Sequence, residues 1–431
     1  MSYSFGKFLN YLLFTALVTL VLSCGPKRPG SDKIEVLFLG HDSKHHDSEQ
    51  YMPILASHVA TKGINFTYTS NPGDLNAENL AKYDALMIYA NHDSITSSQE
   101  KALMDFVEGG KGFLPIHCAS YCFRNSQQYV DMVGGQFKSH ETGSFSATIL
   151  NSEHPVTSGL NPFETWDETY VHHMLNEDKT VLMERVEGDH HEPWTWVRQQ
   201  GKGRVFYTAY GHDLKTWDNP GFLALMEKAI VWAVGEEVKN RWAKLTFDTL
   251  KYSEAKIPNY EKRDPPPKLQ APLSAESSRK FIQIPVGFQL DLFASEPDII
   301  NPISMAWDER GRLWVIETVD YPNTVRKEDG VGDDRIKICE DTDGDGKADK
   351  FTLFADKLNI PTSLVFSNDG IIVSQAPHFL FLKDTDGDDV ADVREVLITG
   401  WGTSDTHAGP SNLRYGFDNQ VWGTVGYSGF K

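Results

Sequence analysis

Residues 112–140 read GFLPIHCASYCFRNSQQYVDMVGGQFKSH. The first six, Gly112-Phe-Leu-Pro-Ile-His117, form the apolar run of a short buried strand, and His117-Cys-Ala-Ser120 is a turn of small and polar residues. A helix is expected over 125–133. Upstream, residues 99–112 carry Ala102, Leu103, Phe106 and Val107 at helical spacing and end on Gly109-Gly110. The unit is therefore helix, strand, turn, helix. It puts a histidine and a thiol at the carboxyl edge of a parallel sheet, the edge where open α/β folds bind ligands.

Working outward, apolar runs predict strands over 34–39, 64–69 and 84–90 on one side of this unit. Further strands are expected over 145–150, 180–186, 194–197 and 204–210 on the other. Tyr51, Ile54, Leu55, His58 and Val59 share one face of a helix that ends at Gly63, and 221–234 is a second amphipathic helix. Strands alternating with helices predict a doubly wound α/β domain over 33–236, its sheet mostly parallel and covered on both faces.

Several strands run out into polar residues at one edge. His41, His92, His117 and His212-Asp213 each follow an apolar strand, while His140-Glu141 and Asp167-Glu168 are expected in loops folding over them. Histidine transfers protons near neutral pH or holds a metal. The catalytic candidates are His117, His140 and His212, and the substrate-binding candidates His41, Asp167, Glu168 and Asp213. The competing view makes these histidines solvated loop residues. His45-His46 and His190-His191 read as exposed loop pairs.

At 431 residues the chain has room for about two or three domains. Its net charge of -19, with no basic tract, argues against nucleic acid as a partner. The N-terminus reads as a targeting segment: Lys7, an apolar run over 11–22, then Val21-Leu22-Ser23-Cys24, which resembles a bacterial lipobox. This implies a leader over 1–23, a lipid anchor on Cys24, a tether over 24–32 and a membrane-attached protein on the periplasmic or cell-surface side. Without the leader, which holds Lys7 alone among charged residues, the charge becomes -19 − 1 = -20. Cys118, Cys122 and Cys339 then remain, too few and too odd in number for a disulfide framework.

The stretches GHDSKHHDSEQYMPIL, LAKYDALMIYANH, FVEGGKGFLPIHCAS, VGGQFKSH, WDETYVH and EPWTWVRQQGKGRVFYTAYGHD resemble the ThuA-like, or trehalose-utilisation, family. That resemblance implies a class I glutamine-amidotransferase-like fold and a tie to sugar metabolism. A glutaminase of this fold needs a cysteine nucleophile on a glycine-flanked turn. Here the turn reads Ile116-His117-Cys118-Ala119, with His117 in the nucleophile's place and Cys118 one residue late. Amidotransfer is not expected.

Residues 237–285 are rich in Pro, Ser and polar residues, as in Arg263-Asp-Pro-Pro-Pro-Lys268, and predict an extended connector. Beyond it, thirteen-residue units starting at Pro302, Pro361 and Pro410 align without a gap, 361 − 302 = 59 and 410 − 361 = 49 residues apart. Each reads strand, Asp/Asn/Gly turn, strand. Hairpin repeats of this length predict the N-terminal blades of an all-β propeller over 286–431. Fewer blades fit than close a propeller, so the chain is expected to be a fragment of a longer protein. A parallel β-helix is the alternative.

GFQLDLFASEP, GRLWVIETVDYP and DTHAGPSNLRYGFDNQVWGTVG resemble membrane-associated dehydrogenase propellers related to quinoprotein sugar dehydrogenases. The resemblance implies pyrroloquinoline quinone as cofactor, a cytochrome c-type electron acceptor, and His407 as the base for a sugar hydroxyl. Separately, Asp341-Thr-Asp-Gly-Asp-Gly-Lys-Ala-Asp349 and Asp384-Thr-Asp-Gly-Asp-Asp-Val-Ala-Asp392 share D-x-D-G-D-x-x-x-D. Alternating carboxylates in a glycine-bent loop are calcium ligands. The expected ligands are Asp341, Asp343, Asp345 and Asp349 in one loop and Asp384, Asp386, Asp388 and Asp392 in the other, each pinning a β-hairpin. The whole reads as a lipid-anchored sugar-processing protein, or else a non-enzymatic glycan-binding one.

Overall fold

The computed structural model describes residues 32–256, 258–259, 262–328 and 330–431. The expected leader and the lipidation site Cys24 lie outside the described residues. No helix among the described residues is long and apolar enough to cross a membrane. The chain forms two compact units, one built from residues up to 273 with 277–289, the other essentially from 290–431.

The first unit is organised on β1 (Ile34–Leu39), β2 (Ile64–Thr69), β3 (Ala85–Ile88) and β4 (Gly112–Pro115). Next come β5 (Gln136–Ser146), β6 (Thr148–Ile149), β7 (Glu164–His173), β8 (Thr180–Glu187), β9 (His190–Gln200) and β10 (Gly203–Thr208). An eight-stranded sheet runs β2-β1-β3-β4-β10-β9-β8-β6. Its first five strands are parallel, in the flavodoxin-like order, so β1, β3 and β4 end together at the switch point. β1, β3 and β4 are buried along their whole length, which is why they read as unbroken apolar runs.

The expectation of a mostly parallel sheet fails at the far half. β10, β9, β8 and β6 pair antiparallel. Only Gly201 and Lys202 separate β9 from β10, and so short a link makes a hairpin, never a crossover. A second correction concerns β5 and β7. These form a separate antiparallel ribbon, pairing His140 with Tyr170 and Thr142 with Glu168, where loops were expected.

Helices Ser48–Ala60, Ser97–Glu108, Gln127–Val133 and Pro220–Ala233 flank the sheet's contributors to one continuous apolar core. The stretch expected as an extended connector is anchored to this unit. Helix Glu236–Trp242 fixes Arg241 on Asp84 and Trp242 on the Lys62 carbonyl. A small hairpin pairs β11 (Tyr252–Glu254) with β12 (Lys268–Gln270). Gln283, Ile284 and Val286 then hydrogen-bond along the free side of β2, to Phe66, Asn65 and Thr67.

The second unit contains two four-stranded antiparallel meanders. One is β13 (Pro302–Trp307), β14 (Leu313–Glu317), β15 (Asp334–Glu340) and β16 (Lys350–Leu358). The other is β17 (Ser363–Ser367), β18 (Gly370–Gln375), β19 (His378–Lys383) and β20 (Val393–Thr399). A hairpin of β21 (Ser411–Tyr415) and β22 (Val421–Thr424) follows. The first strand of each sheet falls at or just after Pro302, Pro361 and Pro410, the starts of the sequence repeat.

Candidate functional site

His117 lies two residues past β4 and opens a single 3-10 turn, His117–Tyr121, with φ of 49°. The left-handed conformation is uncommon for a side chain bearing a Cβ, and such residues cluster at functional turns. The neighbouring loop makes room for it: a Cβ on Gly211, whose φ is +137°, would stand 3.2 Å from that of His117. Nδ1 of His117 lies 2.7 Å from the Ala209 carbonyl, an atom that only accepts, so Nδ1 carries the proton. Nε2, the other ring nitrogen, faces Glu168. Tyr170 stacks on the ring with centroids 4.1 Å apart.

Glu168, on β7, is the hub. Its Oε2 is 3.2 Å from His117 Nε2, and its Oε1 is 3.2 Å from His212 Nε2 and 3.5 Å from His140 Nε2. Burial alone would raise its pKa; the contact with His117, then the charges of His212 and His140, outweigh this and hold the carboxyl below its usual range. Three histidines expected from sequence thus meet on one expected carboxylate.

Asp167 does something other than was expected of it. It is fully buried, and its oxygens accept hydrogen bonds from Gly211 N (2.8 Å), His212 N (2.9 Å), Glu168 N (2.8 Å) and Thr216 Oγ1 (2.7 Å). With no acceptor capacity left facing a ligand, it positions Glu168 and the His212 loop. Asp213 also serves locally, capping helix Leu214–Trp217 by accepting from Lys215 N at 2.9 Å. His41 is buried beside the cluster, its ring 5.8 Å from that of His46.

Sequence reading missed His46. Expected as an exposed loop residue, it is 8% exposed, with its ring centroid 5.3 Å from those of both His117 and His212. Burial first, then its imidazole neighbours His117, His212 and His41, lower its pKa to about 2, so it is neutral. Its neighbour His45 is exposed, in agreement with expectation, and so are His190 and His191, although the latter pair lies on β9. A buried chain was missed as well. Glu192 Oε1 contacts His172 Nδ1 at 2.8 Å, and His172 Nε2 contacts the Tyr207 hydroxyl at 2.9 Å. That hydroxyl in turn reaches Ser120 Oγ at 3.0 Å and the His117 carbonyl at 3.3 Å.

A pocket of about 260 Å³ opens on the cluster, lined by His45, His46, His140 and Glu168 and walled by Tyr121, Phe137 and Tyr170. Cys118 is 1% exposed; burial, then the adjacent Cys122, pushes its thiol far above the ordinary range. It is held as a neutral thiol, the unreactive form.

A family model described as Trehalose utilisation matches residues 35–233. The first unit is a ThuA-like domain. Residues 274–431 match a domain of unknown function, DUF7133. Among solved structures, a ThuA-like protein from Bacteroides uniformis is 20% identical, covering 51% of this chain and 100% of its own, with a TM-score of 0.44. Another from Parabacteroides merdae is 17% identical, covering 47% of this chain and 90% of its own, with a TM-score of 0.41. No curated protein matches.

In the second unit His407 is exposed and its Nδ1 lies 2.9 Å from Asp405 Oδ1, which leaves Nε2 open toward solvent. It borders a cavity of about 610 Å³ whose other lining includes Tyr321, Thr362, Asn412 and Arg414. Pyrroloquinoline quinone is a polyacid, and Arg414 is the single permanent cation in that lining. The quinone does not fit these residues, and no step is assigned to it. The acidic loops join β15 to β16 and β19 to β20, the hairpin tips expected for them. Carboxylate oxygens of Asp341, Asp343 and Asp349 lie within 4.8 Å of one another, and so do those of Asp384, Asp386 and Asp392; Asp345 and Asp388 stand outside these groups.

Proposed function

We propose that the ThuA-like domain moves the proton beside a keto group of a carbohydrate, Glu168 taking it from carbon while an imidazole of the cluster protonates the carbonyl oxygen. The observation that carries this reading is the meeting of His117, His140 and His212 on one carboxylate beside an aromatic-walled pocket. An ionised carboxylate takes a proton, and a neighbouring imidazole in the same contact hands one back. The rings of Tyr121, Phe137 and Tyr170 suit the apolar face of a sugar, leaving its hydroxyls to the histidines. Buried and neutral, Cys118 supplies no nucleophile.

The test is turnover of a panel of keto-sugars. Glu168→Gln lowers kcat/KM by about 10²-fold or more, the scale of a lost general base. Cys118→Ala leaves it unchanged, and glutamine is not hydrolysed. Loss of activity in Cys118→Ala, or glutamine hydrolysis by the unmodified chain, contradicts the reading.

For the remainder of the chain, we propose that the two meanders are propeller blades, with no oxidation step assigned to His407, that their acidic tips bind calcium, and that the protein is exported and lipid-anchored at Cys24. The repeat that coincides with the sheets supports the first of these. The lipobox-like sequence supports the last.

A further inference from the structure

We propose that His46, His117 and Glu168 hold one divalent transition-metal ion of the zinc class, with an open coordination position facing the pocket. The inference rests on the site reading given above and adds its cofactor: Oε2 of Glu168, beside His117, meets the ion, while Oε1, beside His212 and His140, remains for proton transfer.

Three observations carry it. One ligating atom from each of the three residues lies within 4.8 Å of the others, and all three residues are buried. An ion bonded at about 2.0–2.2 Å to each would sit among them after rotations of the side chains that draw these atoms inward.

The second observation is the orientation of His117. Its Nδ1 proton is committed to the Ala209 carbonyl at 2.7 Å, so the Nε2 lone pair points at Glu168 Oε2, 3.2 Å away, without completing a hydrogen bond. A lone pair facing a carboxylate oxygen is repulsive unless a proton or a metal cation stands between them, and a cation also satisfies His46. A backbone carbonyl holding the far nitrogen of a ligating histidine is also the usual outer support of a metal site. Glu168 has its own support, since its backbone N–H donates to buried Asp167 at 2.8 Å.

The third is His46. Both of its ring nitrogens are buried with no hydrogen-bond partner. Leaving a buried polar atom unpaired costs about 1–3 kcal/mol, and native structures seldom do so without a reason. A metal ion is such a reason, and it satisfies His46 and His117 together.

Two imidazoles and a carboxylate suit zinc and its neighbours in the first transition row, where calcium and magnesium take oxygen. Three protein ligands with a fourth position open is the catalytic arrangement. His46 and Glu168 both line the pocket, so that position is the one a sugar oxygen or water reaches. A rival set, His41, His46 and Cys118, shares His46 and would bring a thiolate.

The experiment needs no substrate. The full chain is stripped with chelator, then titrated with zinc by calorimetry and with cobalt(II) by absorbance, for the unmodified protein and for His46→Ala, Glu168→Gln and Cys118→Ala. The expected result is one site lost, or weakened at least about tenfold, in His46→Ala and Glu168→Gln. Cys118→Ala keeps it, and the cobalt spectrum shows d–d bands without a thiolate charge-transfer band. As a control for folding, zinc raises the Tm of the unmodified chain and of Cys118→Ala but not of His46→Ala, whose metal-free Tm is not lowered. No zinc binding, binding indifferent to His46→Ala, or loss in Cys118→Ala overturns the inference. Zinc binding without sugar turnover would leave the metal site standing and remove the proton-transfer reading.

Discussion

Buried carboxylates divide here into one that reacts and one that holds. Asp167 and Glu168 are adjacent in sequence and were expected to share a role, yet the strand points them to opposite sides. Asp167 receives four hydrogen bonds in a fully buried setting, so its contribution is to stability and placement. Asp167→Asn would set an amide donor against donors on one side. The expected loss is about 3 kcal/mol of unfolding free energy, read from the denaturant midpoint, together with lost activity. A substrate-binding aspartate would lose activity with its stability intact. At this scale His41, His117 and His212 were legible because each follows an apolar strand that fixes its position, whereas Glu168 was singled out as a residue but expected in a loop, not in β7. His46 was not legible: in SKHHDSEQ nothing distinguishes the inward imidazole from the outward one, and only tertiary packing chooses.

The elements show a parallel division. β1, β3 and β4 were legible because strands buried on both faces are largely apolar, and β2 because its residues alternate. The β5–β7 ribbon was not, because β5 is largely exposed and polar, so its alternation carries little apolar signal. Yet this ribbon delivers His140 and Glu168 to the site. Helix packing makes its own prediction. His58, on helix Ser48–Ala60, meets Glu227 of helix Pro220–Ala233 with Nε2 to Oε2 at 3.1 Å. That hydrogen bond lowers the Glu227 pKa, burial opposes it, and the charges of Lys62 and His58 add to the lowering. The folded value lies below the unfolded one of about 4.3, so the pair's stabilisation is complete above that pH and is lost as pH falls through the folded value. Glu227→Gln should therefore flatten the fall of Tm on acidification below about pH 5. An unaltered acid slope would show that the pair contributes nothing.

For the whole molecule, sequence distinguished an α/β part from a β-rich one, and the repeat starts coincide with the first strands of the sheets. It missed the mixed character of the large sheet, although Gln199-Gln-Gly-Lys-Gly203 already spells a hairpin turn. It also missed the return of residues 283–286 to the edge of β2, since a short segment interrupted by Pro285 follows a Pro- and Ser-rich stretch and its bonds run through the side chains of Gln283, Asn65 and Thr67. The two acidic tips make the prediction that belongs at this scale. Asp341 already accepts the backbone N–H groups of Gly344 and Gly346, at 2.7 and 2.9 Å, which bends the loop so that Asp343 and Asp349 approach it. Calcium should raise the unfolding temperature of the second unit, and chelator should reverse the shift. Identical calorimetric transitions in both conditions would leave the loops as charged turns.

The claim on which the rest depends is that Glu168 and its histidines move protons on a sugar while Cys118 takes no part. It is tested most directly by incubating the full chain with keto-sugars in deuterium oxide and following the carbon-bound hydrogens beside the carbonyl by proton NMR. The account predicts deuterium entry at one such position with the unmodified chain and with Cys118→Ala, and none above background with Glu168→Gln. Exchange undiminished in Glu168→Gln, exchange lost in Cys118→Ala, or no exchange with any sugar would contradict it.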